Sequence, residues 1–158
     1  MKNIIEKEVF EKTIKKIESL GYEDQAIALS QANIIEKPWY MPWKHLSTTL
    51  NGTIYLSKEW TKWDLASHLA HEATHLLQQN KMGMPAFLTS YTQKPGRLRL
   101  ELEAHGVEFK IHSAGLSAFA TSALANILVF QISQNYAFGV WYDEEKKTYT
   151  RKYLMGVL

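Results

Sequence analysis

The sequence feature that most constrains this chain is a five-residue motif inside a helix-forming segment, residues 65–79. The motif places His71, Glu72 and His75 in the order His-Glu-x-x-His. On a helix of about 3.6 residues per turn, positions i and i+4 share one face, so both imidazoles can reach a single divalent cation. Glu72 would then lie beside a water molecule held by that cation. An accidental match in a chain of this composition has a chance of about 2%, so the motif predicts a metal site.

The residues around the motif favour a buried helix. Leucine and alanine occupy many of the neighbouring positions, and Asp64 and Ser67 suit the first turn. A buried ionisable side chain is costly unless it is paired or bound to a metal. Three such groups on a mostly apolar helix therefore indicate a function. The alternative interpretation is an exposed polar stripe that binds no metal.

Length and composition narrow the remaining possibilities. A chain of 158 residues is predicted to form one domain, residues 1–158. The formal net charge of +2 and the scattered basic residues do not indicate a nucleic-acid partner. The absence of cysteine leaves His, Glu and Asp as metal ligands.

The N-terminal sequence does not resemble a signal peptide, which favours a cytoplasmic location and leaves export by another route open. The oligomeric state is not determined.

Apolar periodicity predicts a mostly helical chain. Helices are expected at residues 3–20, at residues 24–35 and from residue 97 onward. Residues 116–132 are apolar nearly all round, but polar side chains interrupt the segment too often for a typical membrane span. This segment is therefore interpreted as a buried core helix, and a membrane partner is not expected. Residues 86–96 are interpreted as a connection that borders the site.

Strand signals are short and few. Asn51-Gly52 is a turn signal, and the β-prone residues 53–56 predict a strand that leads to the metal-binding helix. The edge of that strand is a candidate binding site for an extended peptide. Two aromatic runs in the tail, residues 136–142 and 148–153, suggest a hairpin. The aromatic residues of segment 37–43 either plug the edge of the core or rim a cleft. The expected fold class is α+β, mostly helical, with a short β-sheet.

The motif supplies two metal ligands, whereas a catalytic zinc site generally has three protein ligands and one open position. No further histidine follows closely behind His75. The carboxylate candidates on the next predicted helix are Glu101, Glu103 and Glu108. Asp64 is a poor candidate because it precedes the motif on the same helix. A polar stripe runs along the later helix at spacings of four, three and four residues, formed by Glu101, His105, Glu108 and His112.

The motif and the glutamates downstream of it resemble the gluzincin metallopeptidases, particularly their small, minigluzincin-type members. In that family a second helix carries a ligand Glu, then a small residue and an Asp, which match Glu101, Ala104 and His105 here. That Asp usually supports a metal-bound histidine, so either His105 takes its role or the register differs and Glu103 is the ligand. Glu101 is favoured because it lies on the polar stripe. The resemblance covers residues 53–112.

The resemblance implies both a fold and an activity. The expected fold is zincin-like, with a short β-sheet next to the HExxH helix and a glutamate helix downstream. The expected activity is that of a zinc metalloendopeptidase, which hydrolyses a peptide or protein substrate through a metal-activated water. Zn²⁺ would be held by His71, His75 and Glu101, and Glu72 would act as general base. Candidate donors to the developing oxyanion are His112, Tyr91, Tyr136 and Tyr142.

Two alternatives to an active peptidase remain open at the level of sequence. The first is a zinc-binding, peptidase-like module without catalysis, with a scaffold, immunity or phage-related role. Glu72 argues against it, because a purely structural site needs only metal ligands. The second alternative is a latent zymogen in which the C-terminal segment, residues 136–158, fills the cleft.

Overall fold

The computed structural model describes residues 4–157, and within that range the chain forms seven α-helices and one three-stranded sheet. The expected α+β, mostly helical class is confirmed. The helices are α1 (Lys7–Ser19), α2 (Glu23–Gln31), α3 (Leu65–Met82), α4 (Met84–Thr92), α5 (Lys94–Ser113), α6 (Ala118–Asn135) and α7 (Glu144–Met155). The strands are β1 (Asn33–Glu36), β2 (Thr48–Leu50) and β3 (Thr53–Leu56). Residues 1–3 and residue 158, which fall within the predicted domain and in part within the predicted first helix and C-terminal segment, lie outside the described residues.

The sheet has the order β1-β3-β2, with β1 parallel and β2 antiparallel to β3. Asn51 and Gly52 form the two-residue turn between β2 and β3, both with positive φ (48° and 80°), as a tight hairpin requires. The predicted strand at residues 53–56 is confirmed. It is the central strand, however, so both of its edges are paired. The expectation that this strand offers an edge to a peptide is therefore wrong.

Helix α3, which carries the motif, is packed on several sides. It contacts α1, α2, α4, α5 and β2, and its residues Leu69, Ala70 and Ala73 have no exposed surface. The Asp64 carboxylate accepts a hydrogen bond from the backbone N–H of Ser67 at 3.0 Å, which caps the helix. Residues Trp60–Lys62 form a separate 3₁₀ turn before this cap, so α3 begins at Leu65.

Three segments differ from their predicted structure. Residues 33–35, expected at the end of the second helix, belong instead to β1, which pairs with β3. The expected connection at residues 86–96 is mostly helical, since α4 follows α3 after Gly83 and α5 begins at Lys94. The tail forms α7 rather than a hairpin. Its N-terminus is capped by Asp143, whose carboxylate accepts from the backbone N–H of Lys146, and its residues Thr150 and Leu154 are buried.

The apolar helix predicted at residues 116–132 exists as α6, but it is not buried all round. One face, with Leu124, Leu128 and Ile132, packs inward, whereas Phe119 and Phe130 are 86% and 65% exposed. The interpretation of α6 as an entirely buried core helix is therefore wrong. Among the helices of residues 4–157, none combines the length and the apolar character needed to cross a bilayer.

Candidate metal centre

Helices α3 and α5 bring His71, His75 and Glu101 together. The Oε2 atom of Glu101 lies 3.5 Å from Nε2 of His71 and 3.5 Å from Nε2 of His75. The two histidines come from successive turns of α3, and the glutamate reaches them from α5, which packs closely against α3. All three side chains are buried. The donor atoms of the three residues therefore converge on one small volume.

This cluster fits a metal ion. Among the described residues, Glu101 Oε2 is the buried side-chain polar atom that has no hydrogen-bond partner, and an unpartnered buried carboxylate oxygen is costly. A tetrahedral site with bonds of about 2.0–2.1 Å separates its ligand atoms by about 3.3 Å, close to the observed 3.5 Å. The buried His71–His75–Glu101 group could hold a metal ion. Two imidazoles and one carboxylate are a donor set typical of zinc.

The imidazole of His71 is oriented by Glu108. The Oε2 atom of Glu108 lies 3.0 Å from Nδ1 of His71 and 2.6 Å from Nδ1 of His105. An ionised carboxylate only accepts hydrogen bonds, so Nδ1 of His71 carries the proton and Nε2 is left for a metal. Carboxylates commonly fix metal-bound histidines in this way. The supporting position is thus Glu108, seven residues beyond Glu101, and not His105.

The imidazole of His75 is oriented by Gln78. Its Nδ1 lies 2.8 Å from Oε1 of Gln78, and Nε2 of the same amide donates to the carbonyl of Leu100 and to Oε2 of Glu103, at 3.0 and 2.9 Å. These contacts fix the orientation of the amide, which then accepts from Nδ1–H of His75. Glu103 is therefore bonded to Gln78, whereas Glu101 faces the histidines. Of the two candidate third ligands, the structure brings Glu101 to the cluster.

Glu72 points to strand β2. Its Oε2 accepts a hydrogen bond from the Thr49 hydroxyl at 2.6 Å, and only 4% of its surface is exposed. Strand β2 is also bound to α3 by Gln79, whose Nε2 donates to the Thr49 carbonyl at 2.8 Å and whose Oε1 accepts from the Asn51 N–H at 3.0 Å. The carboxylate of Glu72 is thus held by a strand that is itself fixed, and its negative charge acts on His71 and His75.

The loop before β2 is anchored by a buried lysine. The ammonium group of Lys37, 4% exposed, donates to the carbonyls of Trp43 and Leu46 and to the Thr48 hydroxyl, at 2.8–3.1 Å. Burial lowers the pKa of Lys37, and the negative charge of Glu72 partly opposes this. The aromatic side chains of this loop do not plug the core, since Trp39 is 78% exposed.

The four predicted oxyanion donors are separated by the structure into two groups. The hydroxyl of Tyr91 donates to Oε1 of Glu101 at 2.5 Å, and the hydroxyl of Tyr136 lies 2.9 Å from Nε2 of His105. By contrast, Tyr142 bonds to Thr150 within the tail. His112 is exposed and lies near enough to Asp64, at the start of α3, to contribute to the lowered pKa of that carboxyl. The structure therefore brings Tyr91 and Tyr136 to the cluster and does not bring Tyr142 or His112.

The protonation states of the cluster follow from burial and close charges. Burial alone would raise the pKa of Glu101, but His75 and His71 hold it well below its usual range. Burial would lower the pKa of His71, whereas its contacts with Glu101 and Glu108 raise it well above its usual range. Burial and the charge of Glu101 raise the pKa of Tyr91. This phenol therefore stays protonated at neutral pH and acts as a hydrogen-bond donor.

Sequence reasoning missed most of the residues that support the ligands. Glu108 lies on the predicted polar stripe, and this position in the sequence indicates that its side chain can approach the motif. Gln78 is three residues from His75 and could have been recognised by the same helical spacing. Thr49 and Lys37 carry no comparable signal, because their positions depend on the loop and strand that the fold places beside α3.

Comparison of the chain with protein-family models, with curated proteins and with solved structures finds no match. The residues of the metal cluster and their geometry are therefore the basis for any functional conclusion.

Proposed function

We propose that this chain is a zinc-dependent metalloendopeptidase of the gluzincin type, with a zincin-like fold. The observation that carries the proposal is the buried, unpartnered Oε2 of Glu101, which lies 3.5 Å from Nε2 of both His71 and His75. Glu72, one residue after the first histidine, supplies the carboxylate that a purely structural site does not need. The short sheet next to α3 and the downstream α5 agree with the layout expected of this fold.

The chemistry divides between the cation and the residues of the chain. A bound Zn²⁺ would act as a Lewis acid toward water and the scissile carbonyl. Thr49 holds Oε2 of Glu72, so Oε1 is the atom that takes a proton from the attacking water. The same oxygen then passes the proton to the departing amine. Among the predicted oxyanion donors, Tyr136 and Tyr91 are the phenols that lie beside Glu101.

The test of this function combines metal content with peptide hydrolysis. The variant Glu72→Gln should bind zinc as the wild type does but lose peptidase activity, because the amide cannot accept the proton. Glu101→Gln should lose zinc. The matched control Glu103→Gln should keep it, since a glutamine at this position can still accept the hydrogen bond from Nε2 of Gln78. Elemental analysis and an assay with an unstructured polypeptide measure both effects. A Glu72→Gln variant as active as the wild type would remove Glu72 from the mechanism.

One observation favours a second candidate, a zinc-binding module without catalysis. Structural zinc sites are closed, whereas catalytic sites keep a position open to solvent. Here the three ligands are only 5%, 7% and 1% exposed. Zinc binding without hydrolysis of any polypeptide in a diverse peptide library would support this candidate over the peptidase.

The zymogen alternative depends on what the tail contacts. Tyr136 approaches the cluster through His105, and α7 packs on α5 and α6. Within the described part of the tail, Tyr136 is therefore the side chain that reaches the surroundings of the ligands. Helix α7 supports the helix that carries Glu101. Removing α7 would expose the side of α5 that it covers, so Tyr136→Ala is the more selective test of inhibition by the tail. Increased hydrolysis by this variant would support latency, whereas decreased hydrolysis would support Tyr136 as a donor to the oxyanion.

A further inference from the structure

Burial of the cluster raises a question of access. The side chains of His71, His75 and Glu101 are 5%, 7% and 1% exposed, and Glu72 is 4% exposed. A polypeptide can be hydrolysed only when its carbonyl comes within about 3–3.5 Å of the reacting atoms. If the chain is a peptidase, as proposed above, part of its structure must therefore move to admit the substrate.

Helix α4 covers one side of the ligands. The ring of Phe87 lies 6.3 Å from that of His75, and the ring of Tyr91 lies 6.5 Å from it. The two aromatic rings stack on each other at 5.8 Å, as residues four apart on one helix face can. The Tyr91 hydroxyl also bonds to Oε1 of Glu101. One face of α4 is thus directed at the metal ligands.

Helix α4 packs on α3 and α5, but it buries few of its own side chains. Of its nine residues only Phe87 is buried, and Leu88 is 48% exposed. Helices with few buried apolar contacts open at a low free-energy cost compared with unfolding of the whole domain. Helix α3, by contrast, is buried over most of its length. The two helices should therefore differ widely in how readily they separate from the core.

Single residues connect α4 to its neighbours. Gly83 joins it to α3 with φ 81° and ψ 149°, a conformation found almost only in glycine, and a Cβ placed there would meet no atom within 4 Å. Gln93 joins it to α5 in an extended conformation. At this second end, Arg97 donates to the carbonyls of Tyr91 and Thr92, at 2.7 and 3.3 Å. Arg97 thus holds the C-terminal end of α4 to the start of α5, so any turning of the helix takes place about this fixed end and Gly83.

We propose that α4 is a hinged flap over the metal site, with Phe87 and Tyr91 as its inner face and Gly83 and Gln93 as its hinges. In the closed position described here, Tyr91 bonds to Glu101 and the two aromatic rings exclude water from His75. Turning of α4 about the line between its hinges withdraws both rings and opens the ligands to an extended polypeptide. The proposal concerns access to the site and rests on the proposed function only for the identity of the molecule admitted.

The first experiment compares local opening with global unfolding. Hydrogen–deuterium exchange of the full chain, with and without added zinc, should show faster exchange in residues 84–92 than in α3 or α5. Tyr91→Phe should accelerate exchange in α4 by about tenfold, because it removes a hydrogen bond to a charged group. The same variant should also lose zinc to a chelator faster than the wild type does. The matched control Tyr149→Phe, at a half-exposed position of α7, should change neither rate.

The hinge is tested by a second pair of variants. Gly83→Ala forces an alanine into a conformation with positive φ, so it should displace α4 from its closed position and accelerate both exchange in α4 and zinc loss. Gly115→Ala is its control, since Gly115 has a φ of 82° and equally open surroundings at the junction of α5 and α6. It should lower global stability without a selective effect on α4.

Two results would overturn the flap. One is exchange of α4 at the same rate as α3 and α5, with and without zinc. The other is faster zinc loss from Tyr91→Phe without faster exchange in α4, which would make Tyr91 a support for Glu101 alone. Neither readout requires peptide hydrolysis. Selective opening of α4 in a protein that cleaves no polypeptide would leave the flap in place and reject the peptidase.

Discussion

At the scale of single residues, the two histidines of the cluster are held by different chemical groups. A carboxylate, Glu108, binds Nδ1 of His71, whereas a carboxamide, Gln78, binds Nδ1 of His75. A negative acceptor makes the imidazole more basic than a neutral one does, and it also fixes the tautomer. Glu108 is shared with His105, so one side chain determines the orientation of two rings.

Replacement of Glu108 tests this arrangement. Glu108→Ala should weaken zinc binding by about 10–100-fold, which is the usual effect of removing a group that orients a ligand. Competition with a chromophoric chelator measures the affinity. Glu145→Ala, a substitution at an exposed position of α7, is the control and should leave the affinity unchanged. Unaltered zinc affinity in Glu108→Ala would show that the His71 ring is held without this carboxylate.

The cap of α3 gives a prediction that depends on pH. Burial would raise the pKa of Asp64, but its hydrogen bonds with Ser67 and the charge of Lys16 lower it from the ordinary value of 3.8. A carboxylate with a lowered pKa stabilises the fold above its unfolded-state pKa, and this contribution disappears as the pH falls through the folded-state value. Asp64→Ala should therefore cost about 1 kcal/mol at pH 7 and progressively less below pH 3.8.

Denaturant unfolding between pH 2 and pH 7 measures this difference. Asp64→Asn is the matched control, since asparagine caps helices about as well as aspartate but does not titrate. Its stability relative to Asp64→Ala should not depend on pH. A constant difference between the wild type and Asp64→Ala across this range would show that the charge of Asp64 does not contribute.

At the scale of elements, the helices were more predictable than the strands. Apolar periodicity predicts α1 and α5, because each has a face that repeats every three or four residues. The residues around the motif predict α3, and the apolar composition of residues 116–132 predicts α6. Strand β1 was assigned to a helix, since its four residues are held by pairing with β3, which no local pattern shows. Strand β2, with three residues, was not predicted. Short strands depend on distant partners, so their sequences constrain them weakly.

The tail shows how a competing signal can mislead. Its tyrosines and threonines favour strands, and they suggested a hairpin. The stronger signal was the cap: Asp143 followed by Glu144 and Glu145 is typical of a helix N-terminus, and Thr150 and Leu154 then lie four residues apart on the buried face. Helix α4 was missed for another reason. Its apolar residues Met84, Phe87, Leu88 and Tyr91 are spaced as on a helix, but the glycines and prolines on either side of the segment indicate a connection.

The two faces of α6 should respond differently to substitution. Leu128 is 3% exposed and packs in a cluster with Leu124 and Phe109, so Leu128→Ala should cost about 2–5 kcal/mol. Phe130 is 65% exposed, and Phe130→Ala should change the free energy of unfolding by less than about 0.5 kcal/mol. Urea denaturation of both variants measures these values. Equal and large losses would mean that the face with Phe130 is covered in solution.

At the scale of the whole molecule, the cluster of His71, His75 and Glu101 lies between two parts of the core. Helix α3 packs with α1, α2 and the sheet around Ile17, Leu29 and Ile54. Helix α5 also contributes Leu98 and Leu102 to a second apolar cluster with residues of α6 and of the tail. A cation held by His71, His75 and Glu101 would therefore cross-link the two helices on which these parts are built.

Zinc should stabilise the entire fold. At a free zinc concentration about 1,000 times the dissociation constant, binding to the folded state adds about 4 kcal/mol, which corresponds to an increase in Tm of about 10 °C for a chain of this size. Thermal unfolding monitored by circular dichroism measures the shift. It should disappear in Glu101→Gln and persist in Glu103→Gln. A Tm that does not respond to zinc in the wild type would contradict binding at this cluster.

The contact between Gln79 and strand β2 has a consequence for the behaviour of the protein in crowded solution. The carboxamide of Gln79 takes the carbonyl of Thr49 and the N–H of Asn51, which are groups that a neighbouring strand would otherwise bind. Exposed strand edges recruit strands of other molecules and so promote aggregation. By presenting a peptide-like group of its own, the protein protects this edge from association with foreign chains at high concentration.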